Sequence, residues 1–222
     1  MTVLEISDPL AMADLAAFTS LAQRADADGA MRLQVISDIL VASVAPLYPH
    51  GIGDSTPLVL GMRMLRLSGS GLDGFDEVVP LSNLLDRFAR EENGTSLPVP
   101  PNSVLVSWTG IAPPRGGWDA RDTISVGHLH STAATGVEEI SSGAPEGSGA
   151  HAVKALRSRV WSREMTGSHG TRLPGGLAFA ATALRFIPAR RRDDDAELSV
   201  MESAGWLRLV TPGGHLLTRT RG

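Results

Sequence analysis

The sequence predicts an α+β protein: an N-terminal helix and antiparallel sheet, then a three-helix segment and a C-terminal β-hairpin. Three observations carry this expectation. Leu15, Phe18, Leu21 and Ala22 recur at helical spacing behind Asp8-Pro9. Met31, Leu33 and Val35 alternate with Arg32 and Gln34, the period of a half-buried strand. Apolar residues alternate again on both sides of Thr211-Pro212-Gly213-Gly214 near the C-terminus.

The first helix is expected over residues 9–25, with Asp8 as N-cap, Pro9 at the first helical position and Gly29 beyond its end. Strands follow over 31–35 and 39–44, joined at Ser37-Asp38, and a third over 58–67. Arg63 and Arg66 lie within that third strand and require an acid or solvent. Gly69 to Gly74 matches the G-x-G-x-x-G pattern, but an extended FDEVVP follows where a nucleotide loop needs a helix, so a turn is expected. Leu81, Leu84, Leu85 and Phe88 mark a helix over 80–92, and the proline-rich TSLPVPPN reads as a linker.

VLVSWTGIAPPRGGW, from Val104 to Trp118, opens as a buried strand ending in Trp108. Its two prolines and two glycines hold a rigid loop on which Arg115 stands between Trp108 and Trp118. Arginine stacks on rings and grips carboxylate or phosphate with two hydrogen bonds, which makes Trp108, Arg115 and Trp118 the candidate ligand-binding residues for an anion. The opposing reading is a structural staple. Helices are expected from about Asp122 or Thr123 to Ile140, over 150–163, and over Gly176 to Ile187. The second carries Arg157, Arg159 and Arg163 beside Trp161, a candidate basic patch. The run of three arginines and three aspartates after Ala189 reads as a solvated loop. Residues 1–94 form an N-terminal α+β subdomain and 102–222 a helical subdomain with the hairpin, unless the two make one continuous domain.

Composition narrows the function. At 222 residues, 42% hydrophobic, the chain can bury a core of ordinary size. With 5% aromatics, its four tryptophans weigh heavily in that core. The absence of cysteine removes disulfides, thiolate metal sites and cysteine nucleophiles, and agrees with a cytoplasmic location. MTVLEISDPL is no signal peptide, and no apolar run approaches a membrane span, so no membrane is expected among the partners. Residues 1–100 hold 6 arginines against 13 acids, whereas 151–222 hold 12 basic groups against 6 acids.

The segments WTGIAPPRGGW, VWSRE and LPGGLAFAA resemble an uncharacterised family of high-GC bacterial proteins with no established function. That resemblance implies a bacterial cytoplasmic protein and transfers no catalytic residue. No catalytic constellation is read: Ser168-His169 stands next to no G-x-S-x-G elbow, and Glu91-Glu92 and Glu138-Glu139 read as solvated. No metal is expected, because His128 and His130 diverge by about 200° on a helix. No cofactor is expected either. The leading expectation is a non-enzymatic binding or interaction protein whose Arg/Trp loop accepts a small anionic ligand or a protein partner. Three helices and a hairpin also give the order of a winged helix, with Arg208, His215 and Arg219 in the nucleic-acid wing. The third helix presents too few basic residues for recognition, so nucleic acid ranks behind. An enzyme acting on a small anionic substrate is the remaining alternative.

Overall fold

The computed structural model describes residues 2–69, 71–90, 94–143, 149–189 and 194–220. The chain divides into two compact units. One comprises Met1–Pro46 and Gly61–Gly110, the other Leu47–Leu60 and Ile111–Gly222. Among the described residues, five α-helices and antiparallel sheets make it an α+β protein, as the sequence predicts.

The first unit runs β1 (Val3–Glu5), α1 (Pro9–Ala25), β2 (Ala30–Ile36), β3 (Ile39–Leu47), β4 (Val59–Arg66), β5 (Asp76–Pro80), α2 (Leu81–Phe88) and β6 (Ser96–Pro98). Its sheet has the order β5-β2-β3-β4, and β1 pairs with β6 in a separate ribbon. Asp8 caps α1 by accepting from the Leu10 amide at 3.0 Å, and Leu15 and Phe18 are fully buried. The Ser37-Asp38 turn joins β2 to β3, with Ile36 opposite Ile39 and Met31 opposite Val44. Arg63 finds Asp14 and Arg66 finds Asp38, as two arginines in one strand demand. After Gly69, β5 follows and no helix, so the glycine pattern is a turn; Ser70 within it lies outside the described residues. The same holds for Glu91-Glu92, for the centre of the 141–149 loop and for Arg190 to Asp193.

One predicted strand is absent. Val104 to Val106 is irregular, Leu105 is fully exposed, and Ser107–Gly110 forms a 3₁₀ turn. Pro100 and Pro101 deny the segment ladder donors at its start, and its amide bond to the sheet is Val104 N to Val78 O at 2.9 Å. Trp108 is nevertheless buried.

The second unit runs β7 (Asp119–Ser125), α3 (Val126–Gly143), α4 (Ala150–Trp161), β8 (Glu164–Thr166), β9 (Arg172–Pro174), α5 (Gly176–Ala183), β10 (Glu197–Ser203), β11 (Trp206–Thr211) and β12 (Gly214–Arg219). Its sheet has the order β12-β11-β10-β7, every pair antiparallel. The helix expected from Asp122 or Thr123 therefore starts at Val126, because the preceding residues pair with β10. The hairpin predicted around Pro212-Gly213 is present, but β11 lies between β12 and β10. Strands inside a sheet are not a wing, and α5 is buried at Leu177, Ala178, Ala180 and Ala181, so the winged-helix reading is withdrawn. The core joins α3, α4 and α5: Trp161 stacks on Phe179 at 4.9 Å and lies against Gly136. No helix among the described residues is long and apolar enough to cross a membrane.

Candidate functional site

The second unit holds a groove of about 630 Å³. Its floor is apolar, made by Leu207, Leu173 and Pro57. Its walls are two loops, each pinned by an aspartate, Asp54 half-buried and Asp122 buried. Asp54 accepts from the His50 amide at 3.0 Å, the Thr56 amide at 2.9 Å, the Thr56 hydroxyl at 2.6 Å and the Ser158 hydroxyl at 3.1 Å. The Asp54–Thr56 bond two residues on is an Asx turn. Asp122, its side chain fully buried, accepts from the amides of Thr123, His169 and Thr171 at 2.7, 2.7 and 2.8 Å, and from His169 Nδ1 at 2.9 Å. Burial opposes ionisation of both aspartates, but these hydrogen bonds outweigh it and hold both carboxyls well below the usual range. Gly167 is obligatory at this point, since a Cβ there would stand 2.5 Å from Asp122 Oδ2.

Three arginines line the groove: Arg121, Arg172 and Arg219. Arg121 meets Glu202 at a single contact of 3.3 Å and Arg172 meets Glu164 at 3.5 Å. Arg219 has no carboxylate partner among the described residues. Outside the groove two pairs close at two points, while Arg66 meets Asp38 through Nη1 alone. Arg32 holds Asp76 through Nε at 2.8 Å and Nη2 at 2.6 Å, and Arg163 grips both oxygens of Glu139. The groove arginines are thus left loosely engaged and well exposed, a disposition suited to an incoming anion.

The sequence-derived candidates are divided between the two units. Trp108 belongs to the first unit, Arg115 and Trp118 to the second. Arg115 is exposed, and the guanidinium stacked on Trp118 is that of Arg208, 4.4 Å from the ring centroid. The loop itself is tied down, with the Ser203 hydroxyl donating to the Gly116 carbonyl at 3.0 Å. Among the patch residues, Arg157 lies over Phe179 at 5.8 Å, Arg159 is exposed and Arg163 is bound to Glu139, while Trp161 is interior. Arg208 and His215 share one face of the sheet, and Arg219 lines the groove. His130 Nε2 bonds the Pro188 carbonyl at 2.9 Å. Among the described residues no three His, Asp or Glu side chains come together as a metal site. The Ser168 hydroxyl turns to Glu197, away from a nucleophile–base arrangement with His169. Of the groove residues, Arg219 is the one the sequence singled out, as part of a wing; Asp54 lies in a loop that carried no site signal. Arg121 and Arg172 sit in short segments that meet only in the fold.

Among curated proteins none matches the sequence. Among solved structures, the fold is similar to a beta clamp of H. pylori in complex with 5-chloroisatin, with a TM-score of 0.52 at 8% identity. That likeness covers 100% of this chain, which spans 63% of the clamp's length. Over its length the chain matches two family models, the Domain of unknown function (DUF8010) over residues 1–110 and the Domain of unknown function (DUF8185) over residues 113–222.

Proposed function

We propose that the chain is a non-enzymatic binding protein whose second unit takes a small ligand bearing more than one anionic group into the 630 Å³ groove. The observation that carries this is the convergence of three exposed arginines on one groove, two held by single contacts to glutamates and the third with no carboxylate partner among the described residues. Exposed single-contact pairs contribute about 0–1 kcal/mol, so exchanging a loose glutamate for a ligand oxygen costs little. The pinned loops reduce the ordering cost of binding. The volume lies within the range of about 300–1,000 Å³ usual for small-molecule sites. The similar clamp is described in complex with a small molecule, which agrees with a fold that receives ligands. Arg115 stands on the loop tied to Ser203, next in sequence to the groove residue Glu202, and is a further cation for the same unit.

Calorimetric titration with inorganic pyrophosphate at fixed ionic strength tests the reading. Saturable binding is expected, weakened about tenfold by Arg172→Gln and by Arg219→Gln, the loss of roughly one charge-assisted hydrogen bond each. Equal affinity in parent and variants, or no saturation in the parent, overturns it.

A further inference from the structure

Arg208 lies in β11 directly across from Met201 on β10 and Leu217 on β12. His215 is paired with Val210, two residues along from Arg208, so both side chains rise from one face of the sheet as diagonal neighbours. Leu207 and Thr218 of the groove alternate with Arg208 and Leu217 and turn to the other face. Trp118 covers the guanidinium at 4.4 Å.

This cluster is incompletely bonded. Arg208 Nη2 has the Met201 thioether at 2.9 Å, a weak acceptor. Arg208 Nε and His215 Nδ1 are buried and have no hydrogen-bond partner among the described residues. No carboxylate among them forms an ion pair with Arg208. Burial pushes the guanidinium below its usual value, and burial followed by the Arg208 charge pushes His215 down. The imidazole is therefore held neutral at pH 7, with one N–H to give. Buried polar atoms nearly always have partners. Here two adjacent orphans have compatible needs. Arg208 Nε can only donate, Nδ1 donates when it carries the proton, and the uncompensated charge calls for an anion. A water would serve the donors and leave the charge unanswered.

We propose that Arg208, His215 and Trp118 form a second anion site, in which a carboxylate or phosphate oxyanion sits between guanidinium and imidazole. Met201 holds the place of the anion in its absence, since its flexible thioether can turn aside. Trp118 follows the Gly116-Gly117 turn and is only half-buried, so its ring can shift to admit the ligand while orienting the guanidinium plane.

The test uses the full chain carrying Arg172→Gln and Arg219→Gln, so that failure of the groove and failure of this site are told apart. It is titrated calorimetrically with inorganic phosphate and, separately, acetate, with ionic strength held constant by potassium chloride. Saturable binding of one of them is expected, and the preferred anion identifies a phosphorylated or a carboxylate ligand. Arg208→Lys keeps the charge but loses the planar fork and the stacking, and should weaken binding about tenfold or more. His215→Gln should weaken it severalfold, and decides alone should the lysine variant not fold. No saturation with either anion, or affinity unchanged in the variants, overturns the proposal.

Discussion

Asp54 and Asp122 show how much chemistry a loop residue acquires on folding. In sequence each is one acid among 24; in the fold each is the hub of a loop. Their depressed pKa values translate into stability with a definite sign. Each carboxylate starts from an ordinary value of 3.8 and is lower in the folded state. Their contribution is therefore complete above that value and is lost as pH falls below it. Asp122→Asn should lower the melting temperature at pH 7 and flatten its fall between about pH 4 and pH 2 relative to the parent. Melting curves across that range check this; parallel curves contradict it. Arg115 and Trp118 illustrate the converse. The sequence showed a rigid loop with an arginine and a tryptophan, but the ring's partner came from β11, 90 residues away along the chain. Such pairings follow from strand register, which no local pattern states.

At the scale of elements, periodicity was legible wherever one face is buried. Helix α1 and strands β2 and β3 lie where Leu15-Phe18 and Met31-Leu33-Val35 place them. VLVSW is as apolar as these yet forms no strand, because a strand needs a partner with free donors and acceptors. Asp119 to Ser125 is polar and became a strand through pairing with β10. The α3–α4 packing rests on Gly136, where a Cβ would stand 2.3 Å from the Trp161 ring. Gly136→Ala should raise helix propensity and still destabilise the protein by about 1–3 kcal/mol, because overpacking a filled core displaces the ring from Phe179. Urea denaturation measures this, and an unchanged or higher midpoint contradicts the packing account.

For the whole molecule, the uneven charge along the chain was visible at once, while its use was not. The basic excess of residues 151–222 contributes Arg172 and Arg219 to the groove and Arg208 to the opposite sheet face. The groove itself joins segments from Asp54 to Thr220, so only the assembled sheet, hairpin and loops reveal it. Its role as an anion receiver is the central claim. The most direct measurement is a ¹H–¹⁵N spectrum of the arginine Nε groups titrated with inorganic pyrophosphate at constant ionic strength. The account predicts that the resonances of Arg121, Arg172 and Arg219 move together along one saturating curve, while Arg32 and Arg163, held by Asp76 and Glu139, stay in place. A spectrum in which the groove arginines remain still while pyrophosphate is raised to saturating excess would contradict it.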